Sequence, residues 1–276
     1  MSALRIILNS LMPSWFKRLV LPIRKNQLYF EEFSGNWAEA LYECDGYDDP
    51  AILEKVATAV RQVLDGHAKF ERDSVVFYKS ETNWPVLGSL VSVLSNKQEP
   101  QIVLDFGGSL GSFFLQHRYF LEKVNSLRWI VVEQPHFVNT GKRLFPRGEI
   151  EFMTLEELFA RKEKIDVILA SSVFSYLEEP ETILRTLADL KSNFLITDRN
   201  PVADIRSHLL TIQKSSATVM EQNYPSWIFS ESQLNQTLET DWNILADWNC
   251  PEGTTLTRKK GIQVTWRGGM YERISV

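Results

Sequence analysis

The sequence predicts an α/β protein, in which a mostly parallel sheet is wrapped by helices, preceded by a helical region and closed by an antiparallel pair. Three observations predict it. Four short apolar runs rich in β-branched residues, 102–106, 129–132, 165–170 and 194–197, have the length of strands buried on both faces. Helical stretches separate them at 110–124, 137–144, 155–160 and 180–190, and that alternation is the signature of a parallel sheet covered on both sides. Finally, 242–248 and 262–266 are strand-like runs joined by a polar loop, NCPEGTTLTRKKG, and read as an antiparallel pair.

Taken in order, the chain opens with MSALRIILNSLMPSWFKRLVLP, whose apolar runs are interrupted by Arg5, Lys17 and Arg18. A secretory signal needs one unbroken apolar run, and a spanning helix needs about 20 apolar residues. Ile7, Leu8, Leu11 and Met12 share one helical face, and Trp15, Phe16 and Leu19 follow, with Arg24 and Lys25 close by. Two readings stay open for residues 1–25 within an amphipathic segment 1–33: an in-plane membrane helix, or a helix docked on the body of the protein or on a second copy, as in a homodimer.

Residues 34–97 have helical periodicity and are expected to form a cap. Asn36 followed by Glu39 reads as a capping box, and Asp49-Pro50 as a helix start. The helix after Pro50 carries Ile52, Leu53, Val56, Val60, Val63 and Leu64 on one face and ends at Gly66. The remaining residues, 98–276, form the sheet, with 150–153 as a further short strand. Residues 201–238 have little strand character and read as an insertion over the open edge of the sheet.

Composition narrows the function. The 276 residues are 44% hydrophobic and 24% charged, as in ordinary globular proteins. A net charge of −5 supplies no field to gather phosphates, which disfavours nucleic acid as a partner. Cys44 and Cys250 lack paired spacing and fit buried apolar roles in a reducing, cytoplasmic setting. His67, His117, His136 and His208 are too scattered to propose a metal.

The most informative stretch is VLDFGGSLGS, residues 103–112, where a buried strand runs through glycines into a helix. Gly107, Gly108 and Gly111 allow a tight turn and close approach of a ligand to the backbone, with the positive end of the helix behind it. A phosphate loop would end in GK[ST], but Gly111 is followed by Ser112 and Phe113. The dinucleotide fingerprint fails at Ser109 and Ser112. Asp105, two residues before the first glycine, suits a ligand bearing positive charge, such as the amino group and sulfonium of S-adenosylmethionine. Glu133 ends the next strand 26 residues after Gly107, where a carboxylate can accept both ribose hydroxyls.

LDFGGSLG followed by VVEQ resembles motifs I and II of class I S-adenosylmethionine-dependent methyltransferases, over residues 100–200. The order FSGNWAEAL, DGYDD, LDFGGSLG, SSVFSYLEEP, ITDRNP, YPSWIFS further resembles a family of methyltransferases associated with bacterial surface-polysaccharide gene clusters, over residues 33–270. The resemblance implies a Rossmann-like, seven-stranded sheet with an antiparallel last strand and S-adenosylmethionine as cofactor. It also implies methylation of a small-molecule or glycan acceptor, a hydroxyl of a sugar or nucleotide-sugar intermediate. Carried over by residue, Asp105, Gly107, Gly108, Ser109 and Gly111 line the methionine moiety, Glu133 the ribose, Gln134 the adenosine and Met153 or Thr154 the adenine. Ser171 and Ser172 end the fourth strand beside the transfer position. Ser109 departs from the usual glycine.

On the accepting side, Tyr176, Asp198 and His208 are the catalytic candidates, because an alcohol acceptor benefits from a base. Arg199, Tyr224 and Trp227 are the acceptor-binding candidates. The rival readings are an NAD(P)-dependent sugar oxidoreductase or epimerase, and a non-catalytic adaptor retaining a degenerate methyltransferase fold.

Overall fold

The computed structural model describes residues 28–44, 50–94, 101–215 and 223–274. The expected amphipathic helix at 1–25 and the Asp49 cap lie outside the described residues. In chain order the elements are β1 (Leu28–Glu32), α1 (Trp37–Tyr42), α2 (Pro50–Leu64), a hairpin of β2 (Phe70–Arg72) and β3 (Val75–Phe77), and α3 (Trp84–Leu94). Then come β4 (Gln101–Phe106), α4 (Ser112–Leu121), β5 (Leu127–Val132), α5 (Pro135–Leu144), β6 (Glu151–Met153), α6 (Leu155–Arg161), β7 (Val167–Ser171) and α7 (Pro180–Ala188). The chain finishes with β8 (Phe194–Ala203), β9 (Leu209–Ser215), β10 (Asn223–Ser230), α8 (Glu231–Leu238), β11 (Trp242–Leu256) and β12 (Gln263–Arg273).

Seven strands lie in the order β6-β5-β4-β7-β8-β12-β11. The first five are parallel, and β12 is antiparallel to both β8 and β11. Alternation along β4 sorts its side chains to two faces: Val103 packs in one core with Val60 and Leu90, while Ile102 and Leu104 pack in the other with Leu158 and Leu184. Full burial of each such aliphatic side chain contributes about 1.5–3 kcal/mol. Helices α2 to α5 thus cover one face, and α6, α7 and α8 the other.

Strand β8 does two jobs. Residues Phe194–Asp198 pair with β7, and the far end, Val202 and Ala203, pairs with β10. Between them Arg199 takes φ 56°, a left-handed kink inside the strand. Beyond the kink, β10 takes the place β7 held, and β9 and β1 add to it antiparallel. These three strands bring the sheet to ten and stand as a wall beyond the carboxyl end of β7.

Three expectations are corrected here. Residues 201–238, expected to hold little strand, contain the end of β8, β9, β10 and α8, because buried Thr211, Gln213 and Ser226 break the apolar pattern that marks a strand. The polar loop at 249–261 is mostly strand: β11 continues to Leu256 through an irregularity between Asn249 and Thr254. The helical region at 34–97 also holds the β2–β3 hairpin, and β1 occupies the described end of the segment 1–33. The Asn36–Glu39 capping box is present.

Glu32 fastens β1 to the β11–β12 loop. It is 4% exposed and accepts hydrogen bonds from Thr257 Oγ1 (2.5 Å) and the amides of Lys260 (2.6 Å) and Lys259 (2.8 Å). Burial alone would raise its pKa, but these donors outweigh it and hold the carboxyl below its ordinary value. No helix among the described residues is long and apolar enough to cross a membrane.

Candidate functional site

The chain runs outward from β4 to β5 and β6, then returns to β7 and β8 on the other side of β4. That reversal places a topological switch point at the carboxyl ends of β4 and β7, where the crevice of an open α/β sheet binds ligands. The glycine turn stands there. Gly107 has φ 69°, and a Cβ on it would fall 2.4 Å from Val173 Cγ2, so only glycine lets the β4 and β7 ends meet. Ser109 adopts φ 55° and keeps the left-handed turn, at a cost of about 1–2 kcal/mol for a side-chain-bearing residue. Its amide donates to Glu133 Oε1 at 3.0 Å.

Asp105 lies beneath this turn. The carboxyl is 2% exposed and accepts from Trp129 Nε1 at 3.1 Å, and a Cβ on Gly108 would fall 2.4 Å from Asp105 Cγ. Burial pushes the carboxyl up to about 7, the Trp129 bond opposes this and the Glu133 charge adds to it. Glu133 ends β5 half-buried, accepting from the Ser109 and Gln134 amides, both at 3.0 Å. Burial raises its pKa as well, against these two bonds. Gln134 is the exposed residue before Pro135 at the start of α5. Thr154 caps α6: its hydroxyl accepts from the Glu157 amide at 3.2 Å, and Glu157 returns the bond at 2.8 Å.

A second polar centre lies next to the crevice. Asp198, 1% exposed, accepts from Asn83 Nδ2 (2.8 Å), Trp248 Nε1 (2.9 Å), Ser171 Oγ (3.3 Å) and Cys250 Sγ (3.4 Å). Its backbone carbonyl accepts from the Ser172 amide at 2.8 Å. Asp198 stands within β8, which continues past it. Arg199 Nε lies 2.8 Å from Glu252 Oε1 and 3.9 Å from Asp198 Oδ2. Burial, with the Asp198 charge adding to it, raises the Cys250 thiol well above its ordinary pKa.

The wall formed by β10, β9 and β1 contributes aromatics. Tyr176 follows β7 in a short 3-10 turn and donates to Gln213 Oε1 at 3.0 Å, and its ring meets Tyr224 edge-on at 6.3 Å. Burial pushes the Tyr176 hydroxyl up to about 12. Trp227 stacks on Trp37 at 5.8 Å and donates to the Leu177 carbonyl. His208 is placed apart from the glycine turn. With Trp227, Glu181 and Arg185 it lines a cavity of about 200 Å³ beside the start of α7. Its Nδ1 accepts from the Ser230 amide at 3.0 Å, and its Nε2 lies 3.3 Å from Glu181. Burial lowers its pKa, with Glu181 opposing.

Sequence reasoning missed several residues of this region. His117 is buried and neutral, pushed down to about 4 by burial; Nδ1 bonds the Phe113 carbonyl and Nε2 accepts the Asn83 amide, which aligns Asn83 on Asp198. Asn83 reads locally as a helix cap, so nothing in the sequence points to this second role. Glu71 of β2 is 1% exposed and bonded to Ser112, the first residue of α4. The sequence carries little signal for its hairpin: Val75–Phe77 is an apolar run, but two of the three residues of Phe70–Arg72 before the Asp73-Ser74 turn are charged.

A sheet in this strand order, with one antiparallel strand near its edge and a glycine turn at the reversal point, is the Rossmann-like fold of class I methyltransferases. No protein-family model matches the sequence, and no curated protein is similar to it. Among solved structures, the chain is similar to the N-terminal domain of EvdMO1 with S-adenosylhomocysteine bound, at 11% identity over 78% of this chain and 95% of that one, with a TM-score of 0.48. It is similar to the [4+2]-cyclase SpnF at 10% identity over 82% and 96%, TM-score 0.49. Coclaurine N-methyltransferase, bound to N-methylheliamine and S-adenosylhomocysteine, matches at 13% identity over 98% and 100%, TM-score 0.47.

Proposed function

We propose that the turn at 107–111 holds S-adenosylmethionine and that the chain transfers its methyl group to a hydroxyl of a sugar or nucleotide-sugar acceptor. In this reading residues 98–276 bind the cofactor and residues 34–97 cover it. The observation that carries the reading is Glu133, a half-buried carboxylate at the end of β5, bonded to the Ser109 amide at the crevice where the strand order reverses. Two donors leave its oxygens free capacity for ribose hydroxyls. The cofactor supplies an electrophilic methyl on a sulfonium.

The chain's own residues position and enclose. Asp105 fixes the turn from below, and the Gly107–Val173 contact brings the β4 and β7 ends together. Tyr176 and Tyr224 form an aromatic wall against which a sugar face can rest, and the Arg199 guanidinium stands beside the crevice. Alignment of the acceptor is the main source of acceleration in such an in-line displacement. Asp198 already accepts four bonds and His208 lines another cavity, so each acts here by holding structure.

Titration calorimetry with S-adenosylhomocysteine tests the cofactor. Binding by the wild type, weakened at least tenfold in Glu133→Ala, is expected; no binding at millimolar ligand overturns the reading. Mass spectrometry of nucleotide sugars incubated with chain and cofactor tests the acceptor, and an added methyl is the expected result.

A further inference from the structure

We propose that Glu71 of the cap binds the ammonium group at the amino-acid end of the cofactor; the inference rests on the reading of the turn as an S-adenosylmethionine site. Glu71 reaches the turn from outside the sheet. Its Oε1 accepts from the hydroxyl of Ser112, the residue after Gly111, and its Oε2 accepts from the Ser74 amide at 3.3 Å. Both donors are neutral. Arg72 is its neighbour in sequence, but successive strand residues face opposite ways. The Arg72 guanidinium lies over the rings of Phe70 (5.5 Å) and Phe77 (5.7 Å) and 3.6 Å from Glu81.

The other two carboxylates at the turn have different tasks. Asp105 is sealed under it against Trp129, and Glu133 meets it at Ser109, whereas Glu71 meets it at Ser112. Gly111, as the residue before α4, provides no side-chain cap, so Glu71 answers the positive end of that helix. The hydrogen bonds of this buried carboxylate come only from neutral donors; the Arg72 charge reaches it through space without bonding it, the Asp73 charge opposes that, and a primary ammonium with three donors is the complement. Burial pushes Glu71 up to about 7, opposed by Ser112, so a bound cation also draws it into the charged form.

The test compares three ligands by calorimetry: S-adenosylhomocysteine, its des-amino analogue in which the ammonium is replaced by hydrogen, and 5′-methylthioadenosine. The wild type should bind S-adenosylhomocysteine about tenfold to a hundredfold tighter than the des-amino analogue, the range for a charge-assisted hydrogen bond. Glu71→Gln should lose that preference while binding the other two ligands within about twofold of wild type, and Glu71→Asp should keep part of it. Equal binding of S-adenosylhomocysteine and the des-amino analogue by the wild type overturns the inference and needs no variant. A uniform loss for all three ligands in Glu71→Gln overturns it in favour of a structural role. Failure of the wild type to bind any of the three removes the cofactor reading, and this inference with it.

Discussion

Glu32 and Asp198 are 4% and 1% exposed, and Asp105 and Glu71 are 2% and 1% exposed, yet the two pairs meet different surroundings. Glu32 takes three close donors from the β11–β12 loop, and Asp198 takes four from three other parts of the chain. Asp105 has the Trp129 indole, and Glu71 has one hydroxyl and one longer amide bond. Its donors hold the carboxyl of Glu32 below its ordinary pKa, while burial pushes Asp105 and Glu71 up to about 7. Glu32 is also less enclosed by protein than the other two, so the supply of donors and depth act in the same direction. The well-supplied acids join distant segments, and the poorly supplied ones gather at the glycine turn, Asp105 sealed beneath it and Glu71 against Ser112.

Removing a well-supplied acid is the strongest way to break this contrast. Asp198→Ala should cost about 2–4 kcal/mol, because four donors, one buried and three part-buried, lose their acceptor together. Urea unfolding measures it, and a loss under about 1 kcal/mol would show that the donors find other partners. Glu32→Gln should cost about 2 kcal/mol at pH 7. The folded pKa of Glu32 lies below its ordinary 4.5, so its contribution is present above that pH and lost as pH falls through the folded value. The difference between wild type and Glu32→Gln should therefore shrink in acid; a pH-independent difference would mean that shape, not charge, makes the clamp.

Asp105→Asn sharpens the contrast by the opposite sign. The Asp105 pKa is raised from 3.8 to about 7 on folding, so its contribution is complete below about pH 4 and declines as pH rises toward 7. Replacing it should flatten that decline by up to about 1.4 kcal/mol per pH unit, read from melting curves at pH 5, 6 and 7. An unchanged slope would place the charge of Asp105 outside the balance.

Much of the sheet could be read from the sequence because β4, β5 and β7 are buried on both faces and appear as plain apolar runs. Strand β8 was legible only to Thr197: the kink at Arg199 and the proline at 201 hide its second half. Strands β9 and β10 escaped because their buried positions include the polar residues Thr211, Gln213 and Ser226; Thr211 Oγ1 donates to the Ser226 carbonyl at 2.6 Å and Gln213 Oε1 accepts from Tyr176 at 3.0 Å. In the site, the glycine turn and Glu133 were legible as a local pattern. The bonds of Glu71 to Ser112 and of Asn83 to Asp198 were not, because they join residues 41 and 115 positions apart that no spacing rule connects.

The kinked strand β8 makes the wall beside it a joint product of segments far apart in the chain, 28–32, 209–215 and 223–230. The outermost strand of that wall is β1, whose Glu32 also grips the β11–β12 loop, so a truncation through residues 28–32 would strip an edge from the wall and loosen the β11–β12 hairpin in one stroke. Variation within residues 28–32 would then have to preserve that grip, which restricts where the wall can be remodelled without unravelling the β11–β12 hairpin.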